Sequence, residues 1–253
     1  MTDLPQFLAA GGWGLLAGSA LLVGALFGFL AKVPGKVVAA VMAFGSGVLL
    51  SAVSFDLISE AEEQGGLLAT AVGAVAGAVV YTLANVALAR RGARHRKRSG
   101  DQQPSESEQS GSGTALALGA LLDGVPESIV IGTSLLGGGS VSAVTVAAVF
   151  ISNVPEGLSS ASGMRKAGRS ARYVFGLWGG IAVISAIAAM VGNALLGGAP
   201  PAVLAAITAV AGGAILAMVT DTMIPEAFEQ AHLWIGLITV SGFLIAFSLS
   251  HLG

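Results

Sequence analysis

Apolar residues along this chain fall in runs of about twenty, separated by short polar breaks, which is the length an α-helix needs to cross the hydrocarbon core of a bilayer. Eight such runs can be drawn: Phe7–Ala31, Val37–Ile58, Leu67–Ala89, Thr114–Leu136, Val141–Gly163, Tyr173–Leu195, Ala202–Ile224 and Leu233–Leu252. The pattern predicts an all-α membrane protein of eight transmembrane helices forming one domain over residues 1–253. One long polar break, residues 90–113, opens with arginines and continues as QQPSESEQSGSG. It has almost nothing apolar to bury, so it is expected to be a disordered linker between the third and fourth spans. Within the runs, glycine and alanine recur as in AVGAVAGA, suiting close helix packing in lipid. Gly137–Gly139 is expected to close a tight turn between the fourth and fifth spans.

Composition agrees with this pattern: 54% of residues are hydrophobic and 10% charged, and there is no cysteine, which excludes disulfides, thiolate metal sites and iron–sulfur clusters. The net charge of −2 says less than the placement of the charges. Every Lys and Arg falls in three loops: Lys32 and Lys36, then Arg90 to Arg98, then Arg165 to Arg172. Positive charge collects on the cytoplasmic side, so these loops are expected inside and both termini outside. Phe7 onward lacks a preceding basic region and reads as a retained first span rather than a cleaved leader. The expected location is the inner membrane of a bacterial cell. His232, Trp234 and His251 near the ends of the eighth span suit interfacial anchoring.

Two strings break the apolar pattern, LDGVPES at 122–128 and ISNVPEG at 151–157. In each, a proline inside a helix removes one N–H and frees the carbonyl four residues back, those of Leu122 and Ile151. Residues three and four apart share a helix face, so Asp123 sits with Glu127, and Ser152 and Asn153 with Glu156. Carboxylate, amide, hydroxyl and carbonyl oxygens are thereby offered together at mid-span. A carboxylate at that depth costs at least ~2.5 kcal/mol on the mildest insertion scale, so these acids should face inward and have a partner. No Lys or Arg falls at that depth along the spans, and a bound cation is the expected partner.

A second pair of strings lies near span ends. FDLISEAEE closes the second span with Asp56 and Glu60, and TDTMIPEAFE closes the seventh with Asp221, Thr222 and Glu226. Their shared I-[SP]-E-A core suggests that the second and seventh spans are counterparts in an inverted repeat, a common way to build alternating access around a midplane site. Asp56 and Glu60 would then serve at the entrance, and Asp221, Thr222 and Glu226 at the exit.

The doubled x-V-P-E string on the fourth and fifth spans, D-L-I-S-E-A at 56–61 and the long third loop resemble the ZIP family of divalent-metal transporters over the whole chain. The resemblance implies a 3+2+3 arrangement in which helices 1–3 mirror helices 6–8, a homodimer, and a binuclear metal site on the fourth and fifth spans. That site carries here onto Asp123, Glu127, Ser152, Asn153 and Glu156. It implies a transporter rather than an enzyme, working in the lipid bilayer without nucleic acid and without a resident cofactor. The cargo would be a divalent ion: zinc first, then manganese, iron or cadmium. The sequence departs from the family where Asp123 and Ser152 stand in place of the usual histidines. An all-oxygen set suits a broader range of hard cations than imidazole does. Two other readings compete: an intramembrane aspartyl protease built on Asp123 and Asp221, which lacks a Gly-x-Gly-Asp string, and a proton-coupled transporter of another cation titrating Glu127 and Glu156.

Overall fold

The computed structural model describes residues 5–99, 101–136, 143–231 and 233–252, and among these there is helix and no strand. The glycines at 137–139 and His232 lie outside the described residues. The described residues form ten α-helices in eight rods: α1 (Gln6–Leu30), α2 (Gly35–Ala52) continued by α3 (Ser59–Gly65), α4 (Leu67–Leu88), α5 (Ser112–Thr133), α6 (Ala143–Lys166), α7 (Ala171–Leu196), α8 (Pro201–Met218) continued by α9 (Ile224–Ala231), and α10 (Ile235–Leu252). Three wider π-helical segments interrupt the rods, Val53–Ile58 between α2 and α3, Ala89–Ala93 after α4, and Val219–Met223 between α8 and α9. Such bulges insert one residue into the helical ladder and re-aim the turns beyond it. Asp56 and Asp221 stand in the first and third of them.

Six of the rods are long and apolar enough to cross a membrane. The exceptions are α10, whose described apolar stretch is Ile235–His251, and α6. The latter is diluted by Ser152, Asn153, Pro155, Glu156, Ser159, Ser160 and Ser162. It tolerates them because it is walled by neighbours: α6 packs along α1 and α2, and nearly all of its residues from Ser152 to Met164 are buried. The lipid-like face is elsewhere. On α4, Leu67, Leu68, Val72, Val75, Val79, Val80 and Leu83 are all exposed.

Close helix approach rests on glycine in matching places. A Cβ on Gly77 of α4 would stand 1.9 Å from the Val210 carbonyl oxygen of α8, and one on Gly213 of α8 would stand 1.9 Å from that of Ala74 on α4. The α2–α10 pair is built alike, with Gly47 against Thr239 and Gly242 against Phe44. On the opposite flank, α1 packs against both α6 and α7, and α5 packs against α7. Both Pro126 and Pro155 sit inside helices that continue through them.

Candidate functional site

All five mid-span residues singled out from the sequence are buried: Asp123 and Glu127 on α5, and Ser152, Asn153 and Glu156 on α6. Their partners differ from the expectation. The 90–113 stretch leaves α4 through its π-helical end, where Gly92 takes a φ of 104°, a left-handed value that only glycine adopts without strain. The chain then turns back into the bundle instead of trailing away from it. Arg96 and Lys97, each only 3% exposed, lie among the acids. The disordered linker is therefore corrected for this part of the chain, and so is the absence of a cationic partner for the acids.

Arg96 grips Asp123 with two parallel hydrogen bonds, Nε to Oδ2 at 2.9 Å and Nη2 to Oδ1 at 2.8 Å, the fork geometry that makes guanidinium–carboxylate pairs strong. Tyr81 of α4 donates its hydroxyl to Asp123 Oδ1 at 2.6 Å and accepts from Arg96 Nη2 at 2.8 Å. Arg96 Nη1 also donates to Asn85 Oδ1 at 2.7 Å. Lys97 Nζ bridges the two helices, donating to Glu156 Oε2 at 2.8 Å and standing 3.4 Å from Asp123 Oδ2. Two negative and two positive charges are thus closed into one buried cluster, as burial of charge demands. Glu127 is the exception: it is 3% exposed, and its Oε1 has no hydrogen-bond partner among the described residues.

Ser152 and Asn153 spend their donors on backbone, Ser152 Oγ on the Val149 carbonyl at 2.9 Å and Asn153 Nδ2 on the Ala17 carbonyl of α1 at 3.0 Å. Asn153 lines a small cavity shared with Glu127 and with Gly14 and Gly18 of α1. Among the described residues, no three His, Cys, Asp or Glu side chains are gathered closely enough to hold a metal ion. The cause is visible in the contacts above, since Asp123 is turned to Arg96 and Glu156 to Lys97.

A clasp fixes the inserted segment from the other side. Glu226 of α9, 1% exposed, accepts at Oε1 from the Ser99 N–H and Oγ, both at 2.9 Å, and from Ser159 Oγ of α6 at 3.1 Å. Arg98 reaches Glu226 at 3.4 Å and Glu229 at 2.8 Å. The Gln103 amide donates to the carbonyls of Arg96, Arg98 and Ser160 at 3.0 to 3.2 Å. Farther on, Glu106 accepts from Arg169 at 2.9 Å and from the N–H groups of Gly111 and Gly113. The Arg169 hydrogen bond first, then those two N–H groups, hold its carboxyl down at about 2.

The remaining candidates divide. Glu226 is drawn into the clasp, whereas Asp221 is exposed, and Thr222 bonds the Met218 carbonyl at 2.7 Å. Asp56 and Glu60 line a cavity of about 200 Å³ together with Thr133 of α5, Thr145 of α6 and Thr208 of α8. Asp56 accepts from Ser250 of α10 at 2.9 Å, and its other oxygen is buried without a partner among the described residues. At the end of α10, His251 rests on Phe247 with ring centroids 4.1 Å apart, and Trp234 is exposed, as an interfacial aromatic would be.

The residues missed from the sequence are Tyr81, Asn85, Arg96, Lys97, Ser99 and Gln103. A requirement of charge balance points to two of them. Buried acids on α5 need cations, and the nearest cationic run in the chain, RHRKR at 94–98, lies between the helix that precedes α5 and α5 itself. No family model matches this chain, and no curated protein matches it.

Proposed function

We propose that this protein moves divalent metal cations across a membrane through the acids of α5 and α6, with zinc, manganese, iron and cadmium as the candidate cargo. The observation that carries the reading is the buried set Asp123, Glu127 and Glu156, which lies on helices enclosed by an otherwise apolar bundle and holds two cationic side chains. An acid set of this kind is costly at the middle of a bilayer and is kept where it binds or relays charge. Its oxygens suit hard and borderline divalent ions, with Ser152 and Asn153 able to add neutral oxygens once their side chains turn. The resemblance of the V-P-E strings to those of the ZIP family agrees with this cargo.

An inverted repeat of rods 1–3 and 6–8 about α5 and α6 is part of the same proposal. The paired packing of α2 with α10 and of α4 with α8 supports it, because exchange of the two halves turns each pair into the other. The π-helical breaks at Val53–Ile58 and Val219–Met223 in counterpart rods support it too. Alternating access would follow from rocking of these halves about the acid site. Asp56 and Glu60 would collect ions in the vestibule they line, and Glu226 would stand on the exit side. A homodimer in the bacterial inner membrane with both termini outside completes the reading.

The test is uptake of Mn²⁺ or Zn²⁺ into proteoliposomes. Glu127→Gln combined with Glu156→Gln, which keeps size and hydrogen bonding but removes charge, is expected to abolish uptake without loss of folded protein. Wild-type rates in that variant would sink the assignment.

A further inference from the structure

Resting on that reading, we propose that Arg96 and Lys97 are a tethered counter-charge which one divalent ion displaces, so that residues 94–99 and 101–104 act as a releasable plug that also selects for valence. Asp123 and Glu156 carry two negative charges between them, and the two linker side chains supply two positive ones at 2.8 Å. A divalent ion brings the same two charges on one centre. Exchanging it for the plug leaves the charge of the buried cluster unchanged, whereas a monovalent ion would leave one carboxylate unpaired in a medium where unpaired charge is most costly.

Three features distinguish this arrangement from a permanent structural ion cluster. The inserted segment is held by polar contacts: the fork on Asp123, the Lys97 bridge, the Ser99 and Arg98 bonds to Glu226 and Glu229, and the Gln103 amide. Water can replace each of these bonds when the segment leaves. Next, the acids outnumber the inserted cations. Glu127 is buried with an oxygen that has no partner among the described residues, so the set is larger than the plug uses. Finally, the segment is hinged. Gly92 turns the chain at a φ of 104°, and Glu106 is anchored on Arg169 past the other end, so Arg96 to Gln103 can swing out between two fixed points.

The natural chain has no cysteine, which gives a clean background for the test. Ser99 is 4% exposed while the plug is seated, and its hydroxyl meets the same Glu226 oxygen as that of Ser159, at 2.9 and 3.1 Å. A Ser99→Cys variant in membranes should react slowly with a charged maleimide, several-fold faster with Mn²⁺ present, and no faster with Na⁺ or K⁺ at the same charge concentration. Adding Lys97→Gln should make labelling fast without Mn²⁺. In Ser99→Cys/Ser159→Cys, oxidation should join the two thiols and stop Mn²⁺ uptake into proteoliposomes, and a reductant should restore it. Labelling indifferent to Mn²⁺, labelling raised equally by Na⁺, failure of the thiols to join, or full uptake by the oxidised pair would each overturn the plug. Uptake that Glu127→Gln/Glu156→Gln abolishes would in those cases leave the transport reading standing. Absence of Mn²⁺ uptake in every variant, Lys97→Gln included, overturns both.

Discussion

His95 sits beside the two inserted cations and meets charge from several elements. Partial burial, then Arg98 and Arg94, lower its pKa below the ordinary value of about 6.5, and Glu229 and Glu226 of α9 offset part of that. A base whose pKa is lowered in the docked state binds protons better when released. Docking is therefore fully favoured above about 6.5 and weakens as pH falls through the lowered value. The labelling rate of Ser99→Cys, divided at each pH by that of a fully exposed cysteine because the thiolate is the reacting form, should accordingly rise between pH 7.5 and 5.5, and His95→Gln should flatten that rise. A pH profile that is the same in both would detach His95 from docking. The residue scale is also where sequence reading divides most sharply. Asp123, Glu127 and Glu156 were legible, because a charge inside a twenty-residue apolar run is too costly to stand there without a partner. Arg96 and Lys97 were not, because counting along the chain assigns each residue a depth from its own span, and a loop that folds back defeats that count.

At the scale of elements, span bounds were legible to within three residues, since spanning length and composition are one-dimensional properties, except that the second and seventh rods run on through α3 to Gly65 and α9 to Ala231, past the expected ends at Ile58 and Ile224. The π-helical segments at Val53–Ile58, Ala89–Ala93 and Val219–Met223 were not. An extra residue in the helical ladder leaves the apolar pattern of the rod unbroken, so nothing in that pattern marks it. The glycine contacts are intermediate: AVGAVAGA announces close packing but not the partner. Gly77→Ala should destabilise the protein by about 1–3 kcal/mol, the usual cost of overpacking, because its Cβ would meet the Val210 backbone at 1.9 Å. Gly192→Ala, which would meet nothing within 4 Å, is the control. Thermal unfolding in detergent separates them, and equal melting temperatures would show that α4 and α8 can part without cost.

For the whole molecule, the acids fall into three stations: Asp56 and Glu60 in a vestibule bounded by α5, α6 and α8, the Asp123–Glu156 cluster in the bundle, and Glu226 under the clasp. On the proposed transport reading, the vestibule acids would act on encounter rather than passage, since fields at a mouth raise local ion concentration. Asp56→Asn with Glu60→Gln should raise the apparent KM for Mn²⁺ severalfold and leave the maximal rate near wild type. A fall in maximal rate at constant KM would assign these acids to the translocation step instead.

The turn at Gly92 has a consequence for how this chain can vary in length. Only three residues separate it from Arg96, and a trans chain advances at most about 3.6 Å per residue. The arginine is therefore on a short leash, and one inserted residue before it would carry the guanidinium past Asp123 and put a neighbour in its place. The return is tied as well, since Glu106 accepts from the Gly111 and Gly113 N–H groups besides Arg169. One polar stretch thus has a measured length on both sides of Arg96, and a residue inserted in either part would draw a bonded group off its partner.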